Sequence, residues 1–350
     1  MYIVLAILLF GILVFTHELG HFLVAKACDV KVTEFSIGMG PQLWHRQNGE
    51  TMYSLRALPF GGFCAMEGEE ECSDDPRAFN NKTVLQRVLI LAAGACMNFI
   101  TGLLLVTVLY AGAGGFYSTV IGGFAENCPY EGTLQVGDEI YSVNGERTYF
   151  LSNFTEYAST DENGCLDLVI IRDGEKIKIE NYNLVPVEYE IDGQSVMKYG
   201  INFSVAPATA GNVLKYSFYS CLDFVRMVRS GLVQMITGQA SVSDMSGVIG
   251  IVDMVNETGQ SAQTVSEGIS DVLYLMAFIA VNLAVMNMLP LPALDGGHIF
   301  TIVLAWLFEK ITGKKPNPRI ESYIHFIGFV LLLALMVLLM YNDIVRIIRR

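Results

Sequence analysis

The sequence predicts a polytopic α-helical membrane protein with about four transmembrane helices and an inserted β-rich domain. Three observations carry that expectation. Hydrophobic residues make up 52% of the 350 positions and charged residues only 16%, which excludes disordered, collagen-like and small disulfide-stapled chains. The apolar residues gather into four runs close to the roughly 20 residues that a helix needs to cross a hydrocarbon core. Between the second and third runs the pattern changes to the alternation of strands. With a net charge of −13 the chain offers no basic face for nucleic acid, and the lipid bilayer is the expected surrounding.

Met1–Phe15 contains no charge and resumes as Phe22–Ala25 after a polar break. It lacks a basic start and a small-residue cleavage site, so it reads as a retained span. Val88–Ala113, Val272–Leu294 and Ile324–Tyr341 are the other three. Val213–Ile236 differs, because Leu214, Phe218, Cys221, Val225, Val228, Leu232 and Met235 recur every four or three residues among Lys215, Asp223, Arg226 and Arg229. One apolar stripe on a charged helix fits packing against the membrane or other helices. Four spans are expected, with five as the alternative. The resulting division is 1–113, 114–205, 206–270 and 271–350.

The insert is read from Ser118–Val205. Leu134–Gly145, LQVGDEIYSVNG, gives a turn, an alternating strand and a second turn. Leu166–Arg172 and Glu175–Glu180 are β-rich runs joined by Asp173-Gly174, a strong hairpin signal. Lys26, Lys31, Arg46, Arg56, Arg77, Lys82 and Arg87 mark the first loop as cytoplasmic, and Lys310, Lys314, Lys315 and Arg319 mark the third. The insert and both chain ends then lie outside, although Arg346, Arg349 and Arg350 oppose that placement of the C-terminus. The seven cysteines, 28, 64, 72, 96, 128, 165 and 221, form no CxxC pair, which disfavours a zinc knuckle. Cys128 and Cys165 either pair or remain thiols.

The chemistry begins at Phe15–Phe22, FTHELGHF, which contains HExxH. On a helix His17 and His21 are one turn apart and face the same way, as two imidazole ligands of one Zn²⁺ require. Glu18 beside them is a proton acceptor for the attacking water. A charged group at mid-bilayer costs roughly 2.5–3.5 kcal/mol on insertion scales, so polar residues inside an apolar run point to function. Catalytic zinc needs a third protein ligand. Asn287–His298, NMLPLPALDGGH, offers Asp295 or His298 where Pro290 and Pro292 break the third run, and the residues alone do not choose between them.

Together these motifs resemble the site-2 protease family of intramembrane zinc metalloproteases, in its bacterial, regulator of sigma-E protease-like branch with a PDZ domain. His17, Glu18 and His21 match its HExxH, and Asn287–Gly297 matches its NxxPxPxLDGG. The resemblance implies one zinc per chain held by His17, His21 and Asp295, with Glu18 as general base. It implies that Phe35–Met66 is a membrane re-entrant β-hairpin, in which Asn48-Gly49 is a turn signal and Pro59–Phe63, PFGGF, its glycine-rich end. Gly94–Phe99, GACMNF, matches the family's GPxxNF except that Ala95 replaces proline. Asn98, Asn282 and Asn287 then stand near substrate, the alternative for Asn282 and Asn287 being that they simply bond between helices. LQVGDEIYSVNG is similar to the PDZ core, without an intact carboxylate-binding loop.

The implied function is endoproteolysis within transmembrane segments of single-span proteins already cut by another protease, such as anti-sigma factors or signal-peptide remnants. The implied location is the bacterial inner membrane, with the PDZ-like domain extracytoplasmic. Two other readings remain at this point: a catalytically silent PDZ membrane adaptor, and a transporter built on broken helices. His45 reads as interfacial, His298 as a neighbour of the ligand motif and His325 as a span boundary. Glu67–Asp75, with six carboxylates, reads as a solvated loop.

Overall fold

A polar break inside the first apolar run does not interrupt its helix. The computed structural model describes residues 1–69, 73–160, 164–191, 194–239, 247–314 and 318–349. Cys72, Lys315, Arg350 and residues 70–72 of the acidic stretch lie outside the described residues. Helix α1 runs Tyr2–Ala27 and carries FTHELGHF without a kink signal. Two long strands follow, β1 (Val32–Asn48) and β2 (Thr51–Met66), and then α2 (Val84–Tyr110).

The hairpin turn differs by one residue from a simple Asn-Gly turn. Asn48 pairs with Thr51, so the loop is Gly49-Glu50, and the positive φ of 61° falls on Gly49, the first central residue. That is the glycine position of a type II′ turn. The strands also curl: Phe35 pairs with Cys64 on one side and with Tyr53 on the other. Glu34–Ile37 is thereby enclosed between both halves of β2, with Gly38, Gly40 and Gly61 taking positive φ around the bend. Leu43 and Trp44 on this hairpin are 68% and 54% exposed, an apolar surface that water does not favour.

Charged residues anchor the turn. Arg77 places two nitrogens 2.6 and 2.9 Å from the Glu50 carboxylate, and Lys26 at the end of α1 approaches it to 2.6 Å. The bonds from Arg77, then Lys26, draw the Glu50 carboxyl down to about 2. The acidic stretch is not simply solvated, since Lys31 reaches Glu67 at 3.4 Å and Asp75 at 3.9 Å.

Residues Tyr110–Asp223 form a second compact unit, the rest of the chain the first. Its strands are β3 (Gly115–Phe124), β4 (Glu139–Val143), β5 (Glu146–Arg147), β6 (Cys165–Arg172), β7 (Glu175–Asn183), β8 (Val187–Ile191), β9 (Gln194–Lys198) and β10 (Ile201–Pro207), with α3 (Leu151–Thr160) after β5. The main sheet is ordered β10-β3-β4-β6-β7, with β5 on β4 and β8-β9 a separate hairpin. Asp173 and Gly174 both take positive φ, 51° and 84°, the type I′ turn that the dipeptide predicts. Leu166, Leu168 and Ile170 alternate inward and are fully buried. Buried Asp138 accepts two 2.8 Å bonds from Arg172. Cys128 and Cys165 are both free thiols. Helix α3 and the β8-β9 hairpin were not legible in the sequence, because both are short and mixed in composition. A cleft of about 830 Å³ is lined by Leu151 and Phe154 of α3 and by Ile201 and Phe203 of β10.

Helix α4 (Ala210–Ile236) contains the striped segment. In the remainder of the first unit, α5 (Val248–Ser261), α6 (Val265–Asn287), α7 (Asp295–Thr312) and α8 (Pro318–Arg349) follow. Among the described residues four helices are long and apolar enough to span a membrane: α1, α2, α6 and the Tyr323–Ile348 part of α8, with 26, 27, 23 and 26 residues. At 1.5 Å per residue these are about 35–40 Å long. Helix α4 is not one of them. The third run, expected to reach Leu294, ends its helix at Asn287 because Pro290 and Pro292 cannot continue one. The eighteen-residue α7 was not anticipated, since the glycines and lysines around it read as a loop. Gly102 brings α2 against α6, where a Cβ would lie 2.8 Å from Val281, the close helix contact that small residues permit. Asp343 of α8, 1% exposed, accepts backbone bonds from Gly247 and Gly250 and caps α5.

Candidate active site

The helical spacing in α1 directs both histidines to one point, with their Nε2 atoms 3.2 Å apart. The third group arrives from a distant part of the chain. After α6 ends, Met288–Leu294 crosses in a non-helical path and α7 starts at Asp295. Asp295 Oδ2 lies 3.4 Å from His17 Nε2 and 3.5 Å from His21 Nε2. Ala293, two residues earlier, has φ 70°, a conformation costing a non-glycine residue about 1–2 kcal/mol. Gly296 and Gly297 permit the path: a Cβ on them would sit 2.4 Å from Leu289 O and 2.0 Å from Leu291 O.

Neighbouring groups fix the imidazoles. His21 Nδ1 donates to the Ile90 carbonyl at 2.9 Å, which leaves its Nε2 with a lone pair. His17 Nδ1 lies 3.2 Å from the amide of Asn98, a residue 2% exposed. Asn98 Oδ1 is buried and without a hydrogen-bond partner. Turning the amide so that Oδ1 accepts from Nδ1–H satisfies both groups and frees the lone pair of His17 Nε2 as well. Asn98 therefore touches His17 directly. Asn287 places its side-chain nitrogen 3.5 Å from His17 Nε2. Asn282 is half-buried on the same helix, five residues earlier and about 140° around its axis.

Glu18 points to the hairpin. Its carboxylate bonds to the Cys64 backbone, and a Cβ on Gly62 would come within 3.2 Å of its Cγ. His298 stacks on His325 with ring centroids 3.7 Å apart. Of the two residues left open by the sequence, Asp295 joins the histidines and His298 does not. His45 pairs with Ser54 on the hairpin, exposed.

The donor set fits zinc. His17, His21 and Asp295 each offer a ligand atom within 4.8 Å of the others, and buried Asp295 Oδ2 has no hydrogen-bond partner. Two imidazoles and a carboxylate are a recurrent catalytic zinc set that keeps one position open. The facing wall is bare, because Gly94 of α2 has no side chain and a Cβ there would lie 2.3 Å from His21 Nε2. Ile90 O and the Cys64 backbone were not singled out by residue type, as both act through main-chain atoms, and Gly94 was quoted only as the first residue of GACMNF, without a role. Gly94→Ala is expected to weaken zinc binding by at least about tenfold, as loss of ligand orientation does elsewhere. Metal content after dialysis against a weak chelator measures it.

The profile of peptidase family M50 matches residues 5–335. The chain belongs to that family. A Clostridium acetobutylicum protein carrying a zinc-metalloprotease name is 37% identical to this M50 chain, over 98% of it and 97% of the relative. The zinc metalloprotease RasP of Bacillus licheniformis is 28% identical over 97% and 98%. The regulator of sigma-W protease RasP of Bacillus subtilis is 28% identical over 97% of each. M50 is the site-2 protease family, and among the described residues of this member four apolar helices have spanning length.

Proposed function

We propose that this M50 chain is an intramembrane endopeptidase of the bacterial inner membrane. In this reading His17, His21 and Asp295 hold one zinc and Glu18 is the general base. The observation that carries it is the convergence of Asp295, from the start of α7, with His17, Glu18 and His21 of a helix of spanning length. Zinc bound there supplies a Lewis acid, lowering the pKa of water to about 7 and polarising a carbonyl.

The chain's own residues supply the rest. Glu18 accepts the proton of the attacking water and then delivers it to the leaving amine. Ile90 O and Asn98 keep the two imidazoles turned with Nε2 inward. Asn287, beside His17 Nε2, has an amide N–H for the substrate carbonyl, and Asn282 and Asn98 remain lesser candidates for substrate contact. A helical substrate must unwind first, because its carbonyls are already bonded within the helix. The hairpin beside Glu18 supports that step, since an extended segment can pair with a strand edge.

Substrates of the proposed type are single-span membrane proteins shortened beforehand by another protease, such as anti-sigma factors or signal-peptide remnants. The sigma-W regulator name of the Bacillus subtilis relative supports the first class. The β-rich unit is read as a PDZ-like domain facing away from the cytoplasm, on the strength of its LQVGDEIYSVNG stretch and the lysines and arginines of the flanking loops. The intact ligand set favours a peptidase over a silent adaptor.

The test combines metal analysis of purified protein with cleavage of a single-span test substrate in lipid. About one zinc per chain is expected, with cleavage lost on chelation and regained with zinc. Cleavage that persists in demonstrably zinc-free protein would remove this reading.

A further inference from the structure

We propose that His325 on α8 is a positioning residue for the metal centre, whose ring holds the left-handed turn at Ala293 that delivers Asp295 to His17 and His21. The inference rests on the reading that Asp295 holds zinc, and deepens it. It starts from an oddity of the backbone. Ala293 occupies a conformation that alanine disfavours, φ 70°, two residues before the proposed ligand. The loop closes this turn from within, Leu294 N–H donating to the Leu291 carbonyl at 3.2 Å across Pro292-Ala293, and an alanine in the second central position still gains from a contact outside the loop.

The Ala293 N–H donates to His325 Nδ1 at 3.2 Å. Nδ1 is then an acceptor, so the ring proton of the neutral imidazole resides on Nε2. His325 Nε2 lies 3.3 Å from Thr301 Oγ1, and Thr301 Oγ1 donates to the His298 carbonyl at 3.0 Å. The directions agree throughout: Ala293 N–H to His325 Nδ1, His325 Nε2–H to Thr301 Oγ1, and Thr301 O–H to His298 O.

Packing fixes the ring in the same place. His298, one turn into α7, stacks on it at 3.7 Å with the planes 5° apart. Next to His325 on α8, Gly328 leaves room for the preceding proline: a Cβ there would lie 2.1 Å from Pro292 Cβ. Pro292 and Ala293 are thus held from α8, and Asp295 follows immediately. His325 lies at the start of the Tyr323–Ile348 span, as the sequence presents it, and its ring also meets Ala293 of the ligand loop and His298 and Thr301 of α7.

The test separates the acceptor from the ring. Zinc affinity by chelator competition is measured on the full-length protein in lipid nanodiscs, with His325→Asn, His325→Gln and His325→Phe. Asn sets an acceptor near the Nδ1 position, Gln sets it too far along the side chain, and Phe keeps the stacked ring without an acceptor. Phe and Gln are expected to weaken zinc binding by about 10–100-fold, as loss of an orienting partner does, and Asn to remain within about threefold of the parent, too little for a lost partner. Affinity unchanged in His325→Phe, or lost equally in all three variants, would overturn the proposal. Helix content by circular dichroism checks folding. Should His325→Phe not fold, Thr301→Val carries the test, since it removes the acceptor of Nε2–H together with the hydroxyl's bond to the His298 carbonyl and leaves the His325 ring in place; weaker zinc supports the proposal and parental affinity overturns it. If the parent itself binds no zinc, it is the zinc reading that fails, a result distinct from variants that match a zinc-binding parent.

Discussion

Replacing Glu18 with glutamine is expected to lower the cleavage rate by about 10²–10⁴-fold, the range for removal of a general base, while zinc content stays at the parental value. The two imidazoles and Asp295 are untouched by the change. Glutamine keeps the size of the side chain, and its oxygen can still accept the bond from the Cys64 backbone. What disappears is a basic oxygen able to take a proton from water. The measurement pairs metal analysis with cleavage of a single-span substrate in lipid. Parental turnover in the zinc-loaded variant would eliminate Glu18 as base, and loss of zinc would instead assign it to the metal's surroundings.

Asp295→Asn is expected to reduce zinc affinity by more than the roughly 10–100-fold that loss of an outer partner costs, and to abolish cleavage with it. The amide keeps the shape of the side chain, and an uncharged polar residue is acceptable in the first turn of α7. The carboxylate charge opposite the two histidines is lost. His298→Ala is the matched control. Its ring lies on His325 and does not join the histidines of α1, so His298→Ala should cost less zinc affinity than Asp295→Asn and most zinc should remain bound. The reverse pattern, zinc lost in His298→Ala and kept in Asp295→Asn, would reassign the third ligand.

The sequence displayed one part of this arrangement openly. His17 and His21 share a face because helical spacing is local, and the Asp173-Gly174 turn is legible for the same reason. The spans were legible as apolar runs, apart from the end of α6, which prolines set earlier than hydropathy did. Whether Asp295 or His298 faced the histidines could not be read from spacing, because a left-handed residue at 293 and two glycines decide it. The curl of β1 and β2 was equally hidden, as no alternation pattern reveals that one strand segment has neighbours on both sides. Partners that act through main-chain oxygens, such as Ile90, leave no trace in residue type at all.

The bare wall at Gly94 gives a rule for reading relatives. A chain that keeps both histidines, the glutamate and the aspartate looks competent by its motifs. With any side chain at the position equivalent to 94, however, its imidazoles would have to move apart to admit that carbon. Such a chain could retain the membrane fold and its β-rich domain yet lose the metal. Silent members descended from active ones would then be recognised by a gained methyl rather than by a lost ligand.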